Sequence, residues 1–372
     1  MILKIKLIYM IKKKIIIATG GTGGHVFPAY SLANYLISKN FNVILTTDKR
    51  GHKYLETNEN INFIEIPAFP LKKENILHNF ISILINFFSL LKSFLFLLFN
   101  RPLIIFGTGG YASFPICLAA SILKIKFVIY ENNMVIGKAN KYLLPFAKKI
   151  FVSYKELEGI PEKFNEKVIE VGNIIREEII NANLYSEIKK FDHMKILVLG
   201  GSQAARVFAE ELPEIFKNLK NIKIPFKVFQ QCQKNQNERL IEFYKNADIE
   251  FEVFNFTNKI IDYYSKANLV ITRSGASALG ELVNAKVPFI SIPLPASADN
   301  HQYKNAQFYA KKGYGYLIEE KDIKEKLYPL LCSIFKDTTL LKNIITNQRQ
   351  YSDKNTFKNL NILIEKISNE KN

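Results

Sequence analysis

Only three cysteines occur in the 372-residue chain, Cys117, Cys232 and Cys332, and no two of them form a CxxC pair. That spacing implies neither a disulfide framework nor a cysteine-rich metal site, and it suits a reducing compartment. Arginine is scarce as well. The chain carries 51 Lys and Arg against 34 Asp and Glu, a formal net charge of +17, yet 44 of the basic residues are lysine. A basic balance raises affinity for polyphosphates through counterion release. No Arg-rich patch, aromatic RNA-binding signature or zinc-finger spacing accompanies it, so nucleic acid is not an expected partner. An anionic membrane face is, at about 1 kcal/mol per nearby basic residue. A signal-peptide core is also missing, because lysines interrupt the apolar residues of "MILKIKLIYMIKKK". Met10 stands as an alternative start.

What is present is a repeated alternation of short apolar runs with helical spacing. The runs are KIIIA (14–18), NVILTT (42–47), PLIIF (102–106), KFVIY (126–130), KILVL (195–199), NLVIT (268–272) and PFISIP (288–293). Continuous β-branched runs separated by helices predict parallel sheets covered on both faces, an α/β doubly wound architecture. "KIIIATGGTGG" near residue 14 and "KILVLGGSQAA" near residue 195 echo each other as strand, glycine-rich turn and helix. Two Rossmann-like domains are expected from the echo, each opening at such a turn. The boundary falls near "VGNIIREEI" (171–179), giving domains of about 10–174 and 175–344. Helical spacing in the tail predicts a C-terminal helix of about 345–372 that packs back on the first domain.

Segment 75–100, "NILHNFISILINFFSLLKSFLFLLFN", is apolar enough to suggest a membrane span. Its polar residues fall at 75, 78, 79, 82, 86, 89, 92 and 93, close to a period of 3.6, and form one narrow stripe. Three readings stand: a span, an amphipathic helix within the fold, and a helix with one flank in the core and the other against lipid. A span would split a sheet between two of its strands.

The glycine-rich turns lack both common nucleotide signatures. A dinucleotide fingerprint starting at Gly21 meets Val26 at its sixth position, and one starting at Gly20 meets Thr22 at its third. A Walker A loop needs Lys and Ser or Thr after its last glycine, whereas His25-Val26 follows Gly24. The turn still permits close backbone approach, and the following helix offers amides to an anion or polar substrate. His25 is a capping or packing residue, a general base, or a substrate hydrogen-bond donor. "FGTGGYASFP" (106–115) forms a second turn after another buried strand, and the two turns are expected to line one surface.

In the second half, "LGGSQAA" (199–205) and "TRSGASALGEL" (272–282) also follow strands. Ser274 or Ser277 is expected to cap a helix whose first-turn amides can take a phosphate. Glu281, four residues after Ser277, lies on the same helix face and suits two ribose hydroxyls. "PASADNHQYKNA" (295–306) gathers amides, an acid and His301 in a loop that returns to that site.

Taken together, "ATGGTGGHVFPA", "GTGGYASFP", "YENNMVIGKANK", "GNIIR", "LGGSQAA", "RSGASALGEL" and "ADNHQYKNA" resemble, in order and spacing, the MurG family of glycosyltransferase family 28. These are peripheral membrane N-acetylglucosaminyltransferases that convert lipid I to lipid II in bacterial peptidoglycan synthesis. The resemblance spans roughly residues 14–310. It implies a GT-B fold, two Rossmann-like doubly wound parallel-sheet domains facing a central cleft. UDP-GlcNAc would be held mainly by the C-terminal domain and the lipid-linked acceptor by the N-terminal one, at the cytoplasmic face of the inner membrane. Family binding positions map onto Thr22, Gly23, Gly24, Asn133, Arg176, Ser202, Gln203 and Thr257. They continue with Ala276, Ser277, Ala278, Leu279, Gly280, Glu281 and Gln302, and His25 is the family's candidate base. The resemblance has departures. The family's usual HEQN reads Tyr130-Glu131-Asn132-Asn133, its GNPVR has Ile174 for proline, its GGSQGA has Ala204 for the inner glycine, and Thr257 replaces a frequent Ile.

The implied reaction is an inverting transfer in which the C4 hydroxyl of the N-acetylmuramoyl sugar attacks C1 of GlcNAc and UDP departs. No Asp-x-Asp motif stands at a strand end, so no metal or other cofactor is expected; Arg176 and protein dipoles would neutralise the leaving group. A GT-B enzyme acting on a diacylglycerol acceptor and a UDP-GlcNAc 2-epimerase are the alternatives within the fold. An NAD-dependent oxidoreductase and a non-catalytic membrane scaffold are those outside it.

Overall fold

The computed structural model describes residues 13–54, 61–69, 76–182, 193–201, 205–257 and 259–370. They form two compact units, one running to Ile175 and resuming at Lys354, the other spanning Arg176–Asp353.

In the first unit the strands are β1 (Lys14–Ala18), β2 (Asn42–Thr47), β3 (Asn62–Glu65), β4 (Ile104–Gly107), β5 (Phe127–Glu131), β6 (Lys149–Val152) and β7 (Val168–Glu170). They lie in the order β3-β2-β1-β4-β5-β6-β7, and every pairing is parallel. The central strands carry apolar residues on both faces because helices cover both: Ile15, Ile16, Ile17, Ile104, Ile105 and Phe106 are completely buried. β3, β6 and β7 were not among the expected strands. β3 and β7 are the short edge strands of the sheet, with exposed positions that break the continuous apolar pattern. Helix α1 (Gly23–Ser38) follows β1, α2 (Ile76–Phe99) follows β3, and α3 (Ser113–Ile122) follows β4.

The orientation of α2 reverses the usual rule for a surface helix. Its polar stripe faces the protein: Ser82, Ser89 and Ser93 are buried, Asn86 brackets Phe69 through both its backbone groups, and Lys92 donates to the Glu65 carbonyl. Ser89 donates to the Pro67 carbonyl. Leu97 continues the inward line into the core. The opposite face exposes Phe80, Ile81, Ile83, Leu84, Phe87, Phe88, Leu91, Leu95, Leu98 and Phe99. Phe80–Phe99 is long and apolar enough to cross a bilayer by length and composition alone. Its connection between two strands of one sheet, and its bonds to 65–69, fix one side of it to the fold.

The second unit repeats the plan. Strands β8 (Met194–Leu199), β9 (Phe226–Gln231), β10 (Glu250–Phe254), β11 (Leu269–Thr272), β12 (Phe289–Ser291) and β13 (Tyr316–Leu317) lie in the order β10-β9-β8-β11-β12-β13. All pairings are again parallel. Its helices include α4 (Glu177–Asn181), α5 (Ile260–Lys266), α6 (Ala276–Ala285) and α7 (His301–Lys311). The chain then returns to the first unit as α8 (Thr356–Asn369). There Phe357 stacks on Tyr35 of α1 at 5.0 Å between centroids. Lys126 donates to the carbonyls of Ile367, Ser368 and Glu370, capping the negative end of that helix with a cation.

Two of the three cysteines are deeply buried. Burial pushes the Cys117 thiol up to about 12 and the Cys232 thiol up to about 11, which keeps both protonated and unreactive at neutral pH.

Candidate functional site

In both sheets the strand order reverses between two neighbours, β1 and β4 in the first and β8 and β11 in the second. A doubly wound sheet opens a crevice at this place, beyond the carboxyl ends of the strands. All four glycine-rich turns follow these four strands.

In the first unit the turns after β1 and β4 pack on one another. A Cβ on Gly20 would lie 2.3 Å from that of Ala112, and one on Gly110 would lie 2.9 Å from the Gly20 carbonyl, so glycine is required for the turns to meet. Asp48, at the end of β2, accepts from the amides of Gly21 (2.8 Å) and Gly51 (2.9 Å), and Arg50 pairs with its other oxygen. Thr22 precedes α1 as its N-cap without a side-chain bond, and Gly23 and Gly24 open the helix. Sequence reasoning missed Asp48, because a lone acid after a strand carries no motif.

His25 is fixed across the two turns. Its Nδ1 lies 2.9 Å from the Thr108 carbonyl, an acceptor that can only be met by an N–H. That contact assigns a proton to Nδ1, and in the neutral ring the lone pair then falls on Nε2, the arrangement a general base needs. The expectation that the turns line one surface therefore holds, with His25 as the link between them.

The segment Tyr130-Glu131-Asn132-Asn133 buttresses this wall. Pro28 has no N–H to give the Gly24 carbonyl one helical turn earlier, and Asn132 Nδ2 donates to that carbonyl at 3.2 Å. Glu131 is buried and accepts four hydrogen bonds, from the Asn133 amide, Asn133 Nδ2, the Gly137 amide and Asn140 Nδ2, at 2.8–3.1 Å. Asn133 is thus held rigidly beside Asn132 and Gly24.

Two departures from the family motifs meet in space. The Tyr130 hydroxyl accepts from the Ile174 amide at 3.0 Å, lies 2.8 Å from Ser153 Oγ and donates to the Gly172 carbonyl. A proline at 174 would have no N–H to offer, so the group gained with isoleucine is received by the group gained with tyrosine.

In the second unit Gly200 donates to Gln231 and Gly201 adopts φ +78°. Ser202 and Gln203, with Ala204, lie outside the described residues. Gly275, and neither Ser274 nor Ser277 as expected, is the N-cap of α6, and as a glycine it offers the helix end no side-chain bond of its own. Ser274 is instead clamped through its backbone, its amide donating to Gln302 Oε1 at 3.3 Å and its carbonyl accepting from Asn305 Nδ2 at 3.0 Å. Gln302 Oε1 also accepts from the Leu294 amide, so one side chain joins the loops after β11 and β12. The Ser274 hydroxyl is buried with no hydrogen-bond partner among the described residues. A Cβ on Gly275 would meet no described atom within 4 Å, and its φ is ordinary, so neither crowding nor strain within the described residues calls for glycine there.

Ala276, Ser277 and Ala278 form the first turn of α6, and Leu279 and Gly280 lead to Glu281 on the second. Glu281 is buried, not a solvated surface acid. Arg176, at the start of α4, grips it with Nε on Oε1 at 2.9 Å and Nη2 on Oε2 at 2.8 Å, and the Tyr264 hydroxyl of α5 donates to Oε2 at 3.3 Å. Burial opposes the charge on Arg176, but the Glu281 carboxylate outweighs it and raises the guanidinium pKa further above its ordinary value. Burial, then the same carboxylate, push the Tyr264 phenol well above its ordinary value. Sequence reasoning named Arg176 and Glu281 separately and missed both their pairing and Tyr264. Thr257 stands apart, after edge strand β10, where its Oγ1 accepts from the Lys259 amide. His301 lies 2.7 Å from the Ala298 carbonyl. Arg273 is absorbed by the fold, pairing with Glu320, donating to the Ile292 and Pro293 carbonyls and lying over the Phe208 ring.

Comparison with known proteins adds two family models. Residues 15–152 match the glycosyltransferase family 28 N-terminal domain and residues 195–360 match the glycosyltransferase family 28 C-terminal domain. A relative from Pelagibacter ubique (strain HTCC1062) is 36% identical over 363 residues, covering 96% of this chain and 99% of its own. One from Rickettsia felis is 34% identical over 345 residues, covering 90% of this chain and 94% of its own. Both are named UDP-N-acetylglucosamine--N-acetylmuramyl-(pentapeptide) pyrophosphoryl-undecaprenol N-acetylglucosamine transferase. Among solved structures, Acinetobacter baumannii MurG superposes with a TM-score of 0.76 at 24% identity, covering 95% of this chain and 99% of that one. The S. aureus MnaA–UDP structure gives a TM-score of 0.67 at 17% identity, covering 95% and 96%. Both likenesses bear on the fold, which is GT-B.

Proposed function

The chain belongs to glycosyltransferase family 28, and from that membership we propose that it transfers N-acetylglucosamine from UDP-GlcNAc to the C4 hydroxyl of the lipid-linked N-acetylmuramoyl-pentapeptide, giving lipid II and UDP. The observation that carries the reading is in the second unit: a ten-residue helix opened by a glycine at the strand-order reversal, with a buried carboxylate one turn inside it. The first-turn amides of α6 and its positive dipole end suit the diphosphate, and Glu281 suits the ribose diol. Among the described residues nothing lies within 4 Å of where a Gly275 Cβ would stand, which suits a phosphate approaching the backbone. Gln302 positions this turn through Oε1, which leaves its amide nitrogen to serve the sugar.

The first unit serves the acceptor. His25 Nε2 takes the proton from the C4 hydroxyl as its oxygen attacks C1 of GlcNAc; the C1–O bond to the diphosphate breaks and UDP leaves with the bonding pair. The Thr108 carbonyl holds the ring in the tautomer that permits this. Such a base is worth about 10²–10⁴-fold in rate. The larger contribution comes from amides and Arg176 around the developing negative charge on the diphosphate.

The exposed apolar face of α2 belongs to the same reading. Ten large apolar side chains on one helix face exceed what a soluble surface ordinarily carries. We assign this face to the anionic cytoplasmic leaflet of the inner membrane, where a peripheral enzyme would meet a lipid-linked acceptor.

The test incubates the full chain with labelled UDP-GlcNAc and either lipid I or diacylglycerol in vesicles. Label is expected in lipid II with the first acceptor only; transfer to diacylglycerol, or none to lipid I, would overturn the assignment.

A further inference from the structure

The bidentate Arg176–Glu281 pair occupies the group that the proposed donor site needs. An ionised carboxylate offers about four lone-pair sites. Arg176 Nε, Arg176 Nη2 and the Tyr264 hydroxyl take three of them on Glu281. A ribose diol requires two, so a nucleotide cannot engage Glu281 through both hydroxyls unless one present partner withdraws.

The two partners differ in their ability to withdraw. Tyr264 is fully buried in α5, and rotating its hydroxyl away would strand a polar group in the core. The Arg176 side chain is 20% exposed, and a second carboxylate, Glu178, lies 3.5 Å from its Nη1. Its long stem can swing while the backbone stays in place. Arg176 is therefore the partner that yields. A guanidinium leaving a buried carboxylate needs another anion at once, since an uncompensated buried charge is costly.

We propose that the Arg176–Glu281 pair is a ligand-exchanged latch: the ribose diol of a nucleoside diphosphate takes Arg176's place on Glu281, and the released guanidinium closes on the ligand's diphosphate. This rests on reading the second unit as the UDP-GlcNAc site. One ligand must supply both halves of the exchange, a diol for Glu281 and an anion for Arg176. The latch discriminates against nucleosides beyond the loss of the phosphate contact itself, because a nucleoside breaks the pair and leaves the arginine only the solvent-exposed Glu178 carboxylate, a weaker partner than the buried one it gave up. Tyr264 is a positioning residue that keeps Glu281 aimed while its other partner changes.

The experiment titrates uridine and UDP against the full chain and its Arg176→Met variant, with uridine followed by displacement. The wild type is expected to bind UDP far more tightly than uridine. In Arg176→Met, UDP binding weakens by about tenfold or more while uridine binding tightens severalfold, so the ratio of the two affinities collapses. An ordinary phosphate-binding arginine would weaken UDP and leave uridine unchanged, and that result overturns the latch. Weaker uridine binding overturns it too. Absence of UDP binding to the folded wild type overturns the donor-site reading itself, which separates the two failures. Should Arg176→Met fail to fold, Arg176→Leu provides the same comparison with another uncharged side chain that cannot donate to Glu281, and the same signs are required.

Discussion

Single residues here are set by partners far away in sequence. His25 is aimed by a carbonyl 83 residues on, and its removal separates chemistry from donor binding. His25→Ala is expected to lower kcat by about 10²–10⁴-fold, with UDP affinity unchanged because the donor groups lie in the other unit; turnover equal to wild type would remove His25 from the reaction. The Tyr130–Ile174 contact makes a second prediction. Tyr130→Phe leaves the Ile174 amide buried without its acceptor, at a cost of roughly 1–3 kcal/mol, so hydrogen exchange at residue 174 should accelerate. In the Ile174→Pro background the same Tyr130 change should cost less, since no amide remains to be stranded; equal costs in both backgrounds would mean the two departures are independent. The sequence named Tyr130 and Ile174 as isolated departures. Their contact was not legible, because 44 residues separate them and no periodicity links a strand end to a later loop.

At the scale of elements, α2 follows its sequence pattern but not the usual inference from it. The spacing of the polar residues is helical, as the sequence predicts. A narrow polar stripe ordinarily faces water, yet here Ser82, Ser89 and Ser93 are buried against the protein, with Ser89 bonded to the 65–69 segment, while the broad apolar face points outward. Fully burying one Phe, Leu or Ile is worth about 1.5–3 kcal/mol. Replacing Phe87 and Phe88 together by Glu should therefore weaken partitioning to vesicles by about tenfold or more, with thermal stability little changed because both rings are already exposed. A co-sedimentation assay reads the first and a melting curve the second. If partitioning survives, α2 is not the docking face. Ser89→Leu should act in the opposite sense, crowding the inward stripe and costing about 1–3 kcal/mol of stability. The strands divide similarly. Central strands such as β1, β4 and β11 were read as continuous apolar runs, whereas β9 (FKVFQQ) and β10 (EFEVF) were not, since their Lys, Gln and Glu interrupt the pattern. β10 can carry those residues because it lies at a sheet edge.

For the whole molecule, the net charge of +17 is spread over many lysines and does not form a single arginine-rich site. Attraction of that kind is screened by salt, with a Debye length near ~10 Å at 0.1 M and ~3 Å at 1 M. Binding to anionic vesicles should fall steeply as salt rises, leaving a residue due to α2, while binding to neutral vesicles should change little; equal salt dependence on both would dismiss the charge contribution. By itself the sequence determined the central buried strands, the repeated strand-turn-helix plan and the family, because hydrophobic period and glycine-rich turns are local properties that survive without three-dimensional information. It also singled out His25, Arg176, Glu281 and Gln302 as candidates. Only the tertiary structure decided which way α2 faces, that Gly275 and not a serine opens α6, and that Arg176 and Glu281 hold one another. Those depend on which groups meet across strands and helices distant in the chain, and a hydrogen bond between such groups leaves no periodic trace in the order of residues.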